Sequence, residues 1–130
     1  MENKSNDATQ ARPLGERPLN AALVEMDLNK FIEQVKTENA WQERGYNSIT
    51  IYKSDAMRMV LIGMKAGSIL KTHTANANIT VQVLQGNIFF SALDQVLDMS
   101  KGKIIALQAN IPHSVEAKEE SFFLLSLAGL

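Results

Sequence analysis

From Ser48 to Leu127 the chain breaks into short apolar runs separated by turn residues, and this rhythm constrains the fold more than anything else in it. The runs cover 48–53, 57–64, 68–74, 79–84, 87–93, 95–99, 103–107, 113–117 and 121–127. Most are parted by clusters of the kind that reverse a chain: Ser54-Asp55, Lys65-Ala66-Gly67, Ala75 to Asn78, Gln85-Gly86, Ser100-Lys101-Gly102, Gln108 to Pro112 and Lys118-Glu119-Glu120. Many short strands with frequent turns predict an all-β sandwich or barrel. Two runs, Met59-Val60-Leu61-Ile62 and Phe122-Phe123-Leu124-Leu125, are apolar at every position. A strand with one face in water alternates, so both faces of these two must be covered. A helix can cover one such surface and a second subunit another, and a homodimer is therefore expected.

The residues before this region read differently. Residues 1–20 are polar, carry Arg12-Pro13 and Arg17-Pro18, and show no periodicity. They are expected to form a flexible tail, with Leu14 and Leu19 available to dock. Residues 21–46 are expected to hold a short strand, Ala21 to Met26, and a helix packed outside the barrel of residues 47–130. Asp27 stands at the N-cap position, and Leu28, Phe31, Ile32 and Val35 make one apolar stripe at helical spacing. Gly45 can close the helix in a left-handed conformation. Trp41 falls off the stripe and is read as a packing anchor where the helix returns to the body.

Bulk properties exclude several functions. A chain of 130 residues favours one domain and can bury an apolar core without metal or disulfides. With 13 basic and 14 acidic residues it has no positive field to gather phosphates, so nucleic acid is not an expected partner. Cysteine is absent, which removes disulfides, thiolate zinc sites and cysteine nucleophiles and fits a reducing compartment. No signal-peptide pattern opens the sequence and no run approaches the ~20 apolar residues of a membrane span. A cytoplasmic location is expected, with no membrane partner.

Both histidines of the chain, His73 and His113, fall within the β region. The first sits in Gly67-Ser-Ile-Leu-Lys-Thr-His73-Thr-Ala75-Asn-Ala-Asn-Ile79, running on to Gly86. The second sits in Gly102-Lys-Ile-Ile-Ala-Leu-Gln108-Ala-Asn110-Ile-Pro112-His113. These stretches resemble the two signature motifs of the cupin superfamily. The resemblance covers about residues 57 to 127 and implies a double-stranded β-helix, or jelly-roll, barrel with both histidine slots pointing into its mouth. Gly67, Gly86 and Gly102 match turn positions, and Asn110 stands at a motif glycine, where Asn is the next best residue in a left-handed conformation.

In metal-binding members of that superfamily the first motif supplies His, His and Glu and the second supplies His. Here the second His slot is Ala75 and the Glu slot is Ile79. Only His73 and His113 carry over as metal candidates, where a catalytic site ordinarily takes three protein ligands. The pocket candidates are accordingly His73, His113, Ala75, Ile79 and Gln82; Gln82 brings an oxygen, although alternation sets it off the Ile79 face. Glu116 is off the His113 face, and Ser68, Thr72, Thr74 and Ser114 lack a nearby Asp to build a triad and read as ordinary strand hydroxyls. No cofactor is expected beyond a weakly held divalent transition metal. The first functional expectation is a binding module for a small anionic or apolar molecule. A metal-dependent oxygenase or isomerase, or a metal-free acid–base catalyst, using His73 and His113 is the second. A dimeric regulatory or interaction protein is the third.

Overall fold

Alternation along the strands decides what lies inside. In a computed structural model that describes residues 4–6 and 17–129, Ile79, Val81 and Val83 point one way from their strand and are buried, while Thr80, Gln82 and Leu84 point the other. Eleven strands and two short helices are present among the described residues. The strands are β1 (Lys4–Asn6), β2 (Arg17–Asn20), β3 (Tyr46–Lys53), β4 (Met57–Met64), β5 (Ile69–His73), β6 (Asn78–Gln85), β7 (Asn87–Ala92), β8 (Gln95–Ser100), β9 (Ile104–Leu107), β10 (His113–Ala117) and β11 (Ser121–Ala128). The helices are α1 (Leu28–Thr37) and α2 (Asn39–Arg44).

Two sheets face each other. One has the order β3-β4-β11-β6-β9 and the other β5-β10-β7-β8, with every pairing antiparallel. The space between them is filled by Ile62, Met64, Ile79, Val81, Val83 and Phe123 from the first sheet and Ile88, Phe90, Met99, Val115 and Ala117 from the second. This is the jelly-roll barrel that the strand rhythm and the motifs predict, and each strand expected between residues 48 and 127 lies within two residues of an observed one at both ends. β1 and β2 form a separate antiparallel pair.

The helical layer accounts for the two runs that are apolar on both faces. β4 and β11 are neighbours in the same sheet, in register from Ser121 opposite Met64 to Ala128 opposite Met57. Their outward residues Leu61, Phe122 and Leu124 pack with Ile49, Ile51, Ile32, Val35 and Trp41 in a second buried cluster. One helical cover thus serves both runs, and no second subunit is needed to explain them. The helix itself is broken at Glu38, whose backbone is extended (φ −84°, ψ 150°). The break is why Trp41 lies off the stripe: it turns α2 so that the indole is only 4% exposed and stacks on Phe122, with ring centroids 5.7 Å apart. Gly63, in β4 beneath this stack, leaves room for it, because a Cβ there would overlap the Phe122 ring.

Asp27 caps α1, accepting from the Lys30 N–H at 3.3 Å, and Gly45 closes α2 at φ 77°, both as expected. Asn47, a residue with no obvious sequence signal, joins the helices to β3. It is buried, donates to the Val35 carbonyl (3.0 Å) and the Glu38 carboxylate (2.8 Å), and accepts from the Ser48 N–H (2.9 Å).

Two expectations for the N-terminal part are corrected. Residues 21–26 form no strand; they bend and run irregularly into α1. The flexible tail of residues 1–20 does not extend to residue 20, because residues 17–20 are strand β2 and Leu19 is 1% exposed, its side chain having found the core that makes ordering favourable. Leu14 lies outside the described residues. Among the described residues no helix is long and apolar enough to cross a membrane.

Candidate functional site

Cross-strand register brings the two histidines together. β10 pairs with β5 so that His113 stands directly opposite His73, while two residues further on Val115 stands opposite Leu70. Ser114 is therefore matched by two residues, Lys71 and Thr72, and β5 carries a bulge. That bulge aims the side chain. Leu70 packs against the interior core, and strict alternation would send Thr72 inward and His73 outward. One extra residue reverses the phase and turns His73 back over the barrel mouth, as bulges near sites commonly do. The ring centroids of His73 and His113 lie 4.4 Å apart at 60°.

The two rings differ in setting. His113 follows Pro112 and alternates inward with Val115 and Ala117; it is 5% exposed and stacks on Phe90, with centroids 5.5 Å apart and planes at 15°. His73 is exposed at the rim. Each donates from Nδ1 to the carbonyl two residues earlier, His73 to Lys71 (2.7 Å) and His113 to Ile111 (3.0 Å). Burial lowers the His113 pKa from its ordinary value; the Ile111 hydrogen bond pulls it upward, and nearby His73 lowers it further.

The motif loops are tied to each other below the pair. The Asn110 N–H donates to the Ala75 carbonyl at 2.8 Å and the Ala109 N–H to the Asn78 side chain at 3.1 Å. Asn110 has φ 65°, the left-handed conformation expected of a residue at a motif glycine.

Of the remaining sequence candidates, Ala75 and Ile79 lie in the barrel interior, Ala75 packed against the core and Ile79 3% exposed within it. They fill the two other ligand slots with methyl and sec-butyl groups. Gln82 is corrected: it stands opposite Leu124 and Ile104 on the outer face of the five-stranded sheet, so it does not line the pocket. The alternation that sends Ile79, Val81 and Val83 inward sends Gln82 outward. Glu116 is exposed, opposite Ile69 and Phe89 on the outer face of the other sheet, as its alternation predicts. Among the described residues no three His, Cys, Asp or Glu side chains are grouped to hold a metal ion. The donor set is two imidazoles flanked by hydrocarbon, which does not fit a three-ligand catalytic centre.

An apolar cleft of about 240 Å³ lies between the edges β8 and β9, walled by Phe90, Ala92, Leu93, Leu97, Ile105 and Leu107; neither histidine lines it, and it meets the pair through Phe90. Phe90 is thus both a wall of the cleft and the ring on which His113 rests. A second, open hollow of about 570 Å³ runs past Thr72, Pro112 and His113 and shares Ala92, Leu93 and Gln95 with the cleft. The Leu93-Asp94 turn between β7 and β8 overhangs both. It has φ 52° and 59° at its two residues, an unusual conformation for Leu, whose side chain is 63% exposed.

No family model matches the sequence, and no curated protein matches it. Solved structures do. A cupin superfamily protein from Desulfitobacterium hafniense is 18% identical, covering 96% of this chain and 97% of that one at a TM-score of 0.64. A cupin-2 domain containing protein from Shewanella frigidimarina is 13% identical over 79% of this chain and 93% of that one, at 0.64. A cupin 2 conserved barrel domain protein from Leptotrichia buccalis reaches 30% identity over 67% of this chain, which spans 42% of that longer chain, at 0.63. The chain carries the cupin fold, the class that its barrel and its two glycine-bounded motifs define.

Proposed function

We propose that the chain is a small-molecule-binding cupin whose ligand occupies the cleft beside His73 and His113, without a tightly bound metal. The observation that carries this reading is the sharing of Phe90 between the apolar cleft and the imidazole pair. An apolar hollow with a few convergent polar groups is the usual form of a small-ligand site. Substituting Leu97→Trp at the cleft wall tests it. Small aromatic probes followed by ligand-observed NMR are expected to bind the wild type at millimolar concentration and to lose binding in the variant, with unchanged circular dichroism. Wild-type protein that binds no probe, or a variant that binds as well, would sink the reading.

A second reading is an enzyme in which the pair moves a proton. It is supported by the 4.4 Å ring spacing and by the lowered His113 pKa, which favours a neutral base in a pair whose partner His73 reaches solvent. Assembly is a separate proposal. Ile69 and Val96 are 56% and 67% exposed on the outer face of the four-stranded sheet, around a shallow hollow that also takes in Phe89. A homodimer burying this face predicts a two-chain mass by sedimentation at micromolar concentration; a monomer there refutes it.

A further inference from the structure

The Lys71 and Ile111 carbonyls can only accept a hydrogen bond, so the ring atoms that meet them, His73 Nδ1 and His113 Nδ1, must carry protons. A neutral imidazole with its proton on Nδ1 presents a lone pair at Nε2. Both rings are set the same way, each through the carbonyl two residues back, and neither Nε2 has a protein hydrogen-bond partner among the described residues. Backbone geometry therefore selects the less common tautomer twice, in rings 4.4 Å apart.

From this arrangement we infer that the pair is a two-acceptor site, selecting ligands that bring a hydrogen-bond donor, of the phenol or alcohol class, over ligands that bring a carboxylate. This deepens the binding reading above and rests on it. Two further facts support it. Neither the cleft nor the hollow beside it has a Lys or Arg in its lining that would attract an anion, and the hollow includes the carboxylate residue Asp94. Burial also favours the neutral form of His113. The apolar cleft wall at Phe90 suits an aromatic ring as the body of such a ligand.

The test uses the full chain labelled with ¹⁵N at about pH 8, above the ordinary histidine range. Long-range proton–nitrogen correlation of the two side chains is expected to show both protonated at Nδ1. A ring found in the Nε2–H form overturns the inference whatever binds. Catechol and benzoate are then titrated as matched probes, one with two donors and one with a carboxylate. Catechol is expected to bind roughly tenfold tighter, a difference of about 1.4 kcal/mol, with the shifts centred on the two imidazoles. The preference is expected to vanish in His73→Phe and in His113→Phe, each checked for folding by circular dichroism. Benzoate binding as tightly as catechol overturns the donor preference and leaves the binding reading standing. Failure of both probes to bind overturns both. Zinc binding at submicromolar concentration, lost in each histidine variant, overturns the inference in favour of a cation as the acceptors' partner.

Discussion

Gly86 and Gly102 have nearly the same backbone, φ 87° and 90°, but very different surroundings. A Cβ at Gly102 would meet nothing within 4 Å. A Cβ at Gly86 would overlap the Ser121 hydroxyl and the Glu120 carbonyl. Ser121 is fully buried; its Oγ accepts from the Asn87 N–H at 2.9 Å and lies 2.7 Å from the Glu119 carbonyl, to which it donates. Gly102→Ala should therefore cost only the left-handed strain of an L-residue, roughly 1–2 kcal/mol. Gly86→Ala should cost the same strain and also displace Ser121. Two part-buried hydrogen bonds are then lost, at roughly 1–3 kcal/mol for each group left unsatisfied, which brings the total to roughly 3–8 kcal/mol. At roughly 4 °C per kcal/mol for a domain of this size, Tm should fall by about 4–8 °C in Gly102→Ala and by about 12 °C or more in Gly86→Ala. Urea unfolding followed by the fluorescence of Trp41, the sole tryptophan, reads both. Equal losses in the two variants would refute the reasoning, since matched φ leaves only the steric term to separate them.

Other expectations follow the same physics. Replacing Leu93-Asp94 by Asn-Gly supplies residues that favour two positive φ angles in a two-residue hairpin, and should raise stability by about 1 kcal/mol by chemical denaturation. Asn47→Ala removes the side chain that donates to the Val35 carbonyl and accepts from the Ser48 N–H, and should lower unfolding free energy by roughly 2–4 kcal/mol in the same assay. Because the His113 pKa is lowered in the fold, the unfolded chain takes up its proton first as pH falls through about 6.5. Stability from this group is therefore fully present above that value and is lost below it, down to the folded pKa; urea midpoints across this window should slope for the wild type and flatten for His113→Gln.

The barrel was legible in the sequence because strand rhythm and turn chemistry are local. Gly86, Gly102 and Asn110 adopt the positive φ that their types permit, and β4 and β10 begin and end where their patterns do. The Leu93-Asp94 turn carries no glycine or asparagine, yet β7 and β8 still separate at it, because the flanking alternation sets the register. What was not legible depends on tertiary context. Covering of both apolar runs by one helical layer follows from β4 and β11 being neighbours, which spacing along the chain does not encode. The break at Glu38 left a trace in Trp41's departure from the helical stripe. Of the site, the motif positions point to His73 and His113, which stand opposite each other on β5 and β10, while Ala75 and Ile79, expected as pocket residues, pack in the core and line neither hollow. The bulge at Lys71-Thr72 that aims His73, the Phe90 stack and the paired Nδ1 hydrogen bonds are invisible without coordinates. Gln82 has an oxygen that suits a pocket, but its alternation sends it to the outer face, opposite Leu124 and Ile104.

Two imidazoles in a hydrocarbon frame should hold no metal tightly, and elemental analysis of untagged protein tests that most directly. Wild type, His73→Ala and His113→Ala are purified side by side and assayed for transition metals. No stoichiometric metal is expected in any of the three. One equivalent of metal in the wild type, lost in both variants, would contradict it and make the pair part of a metal centre.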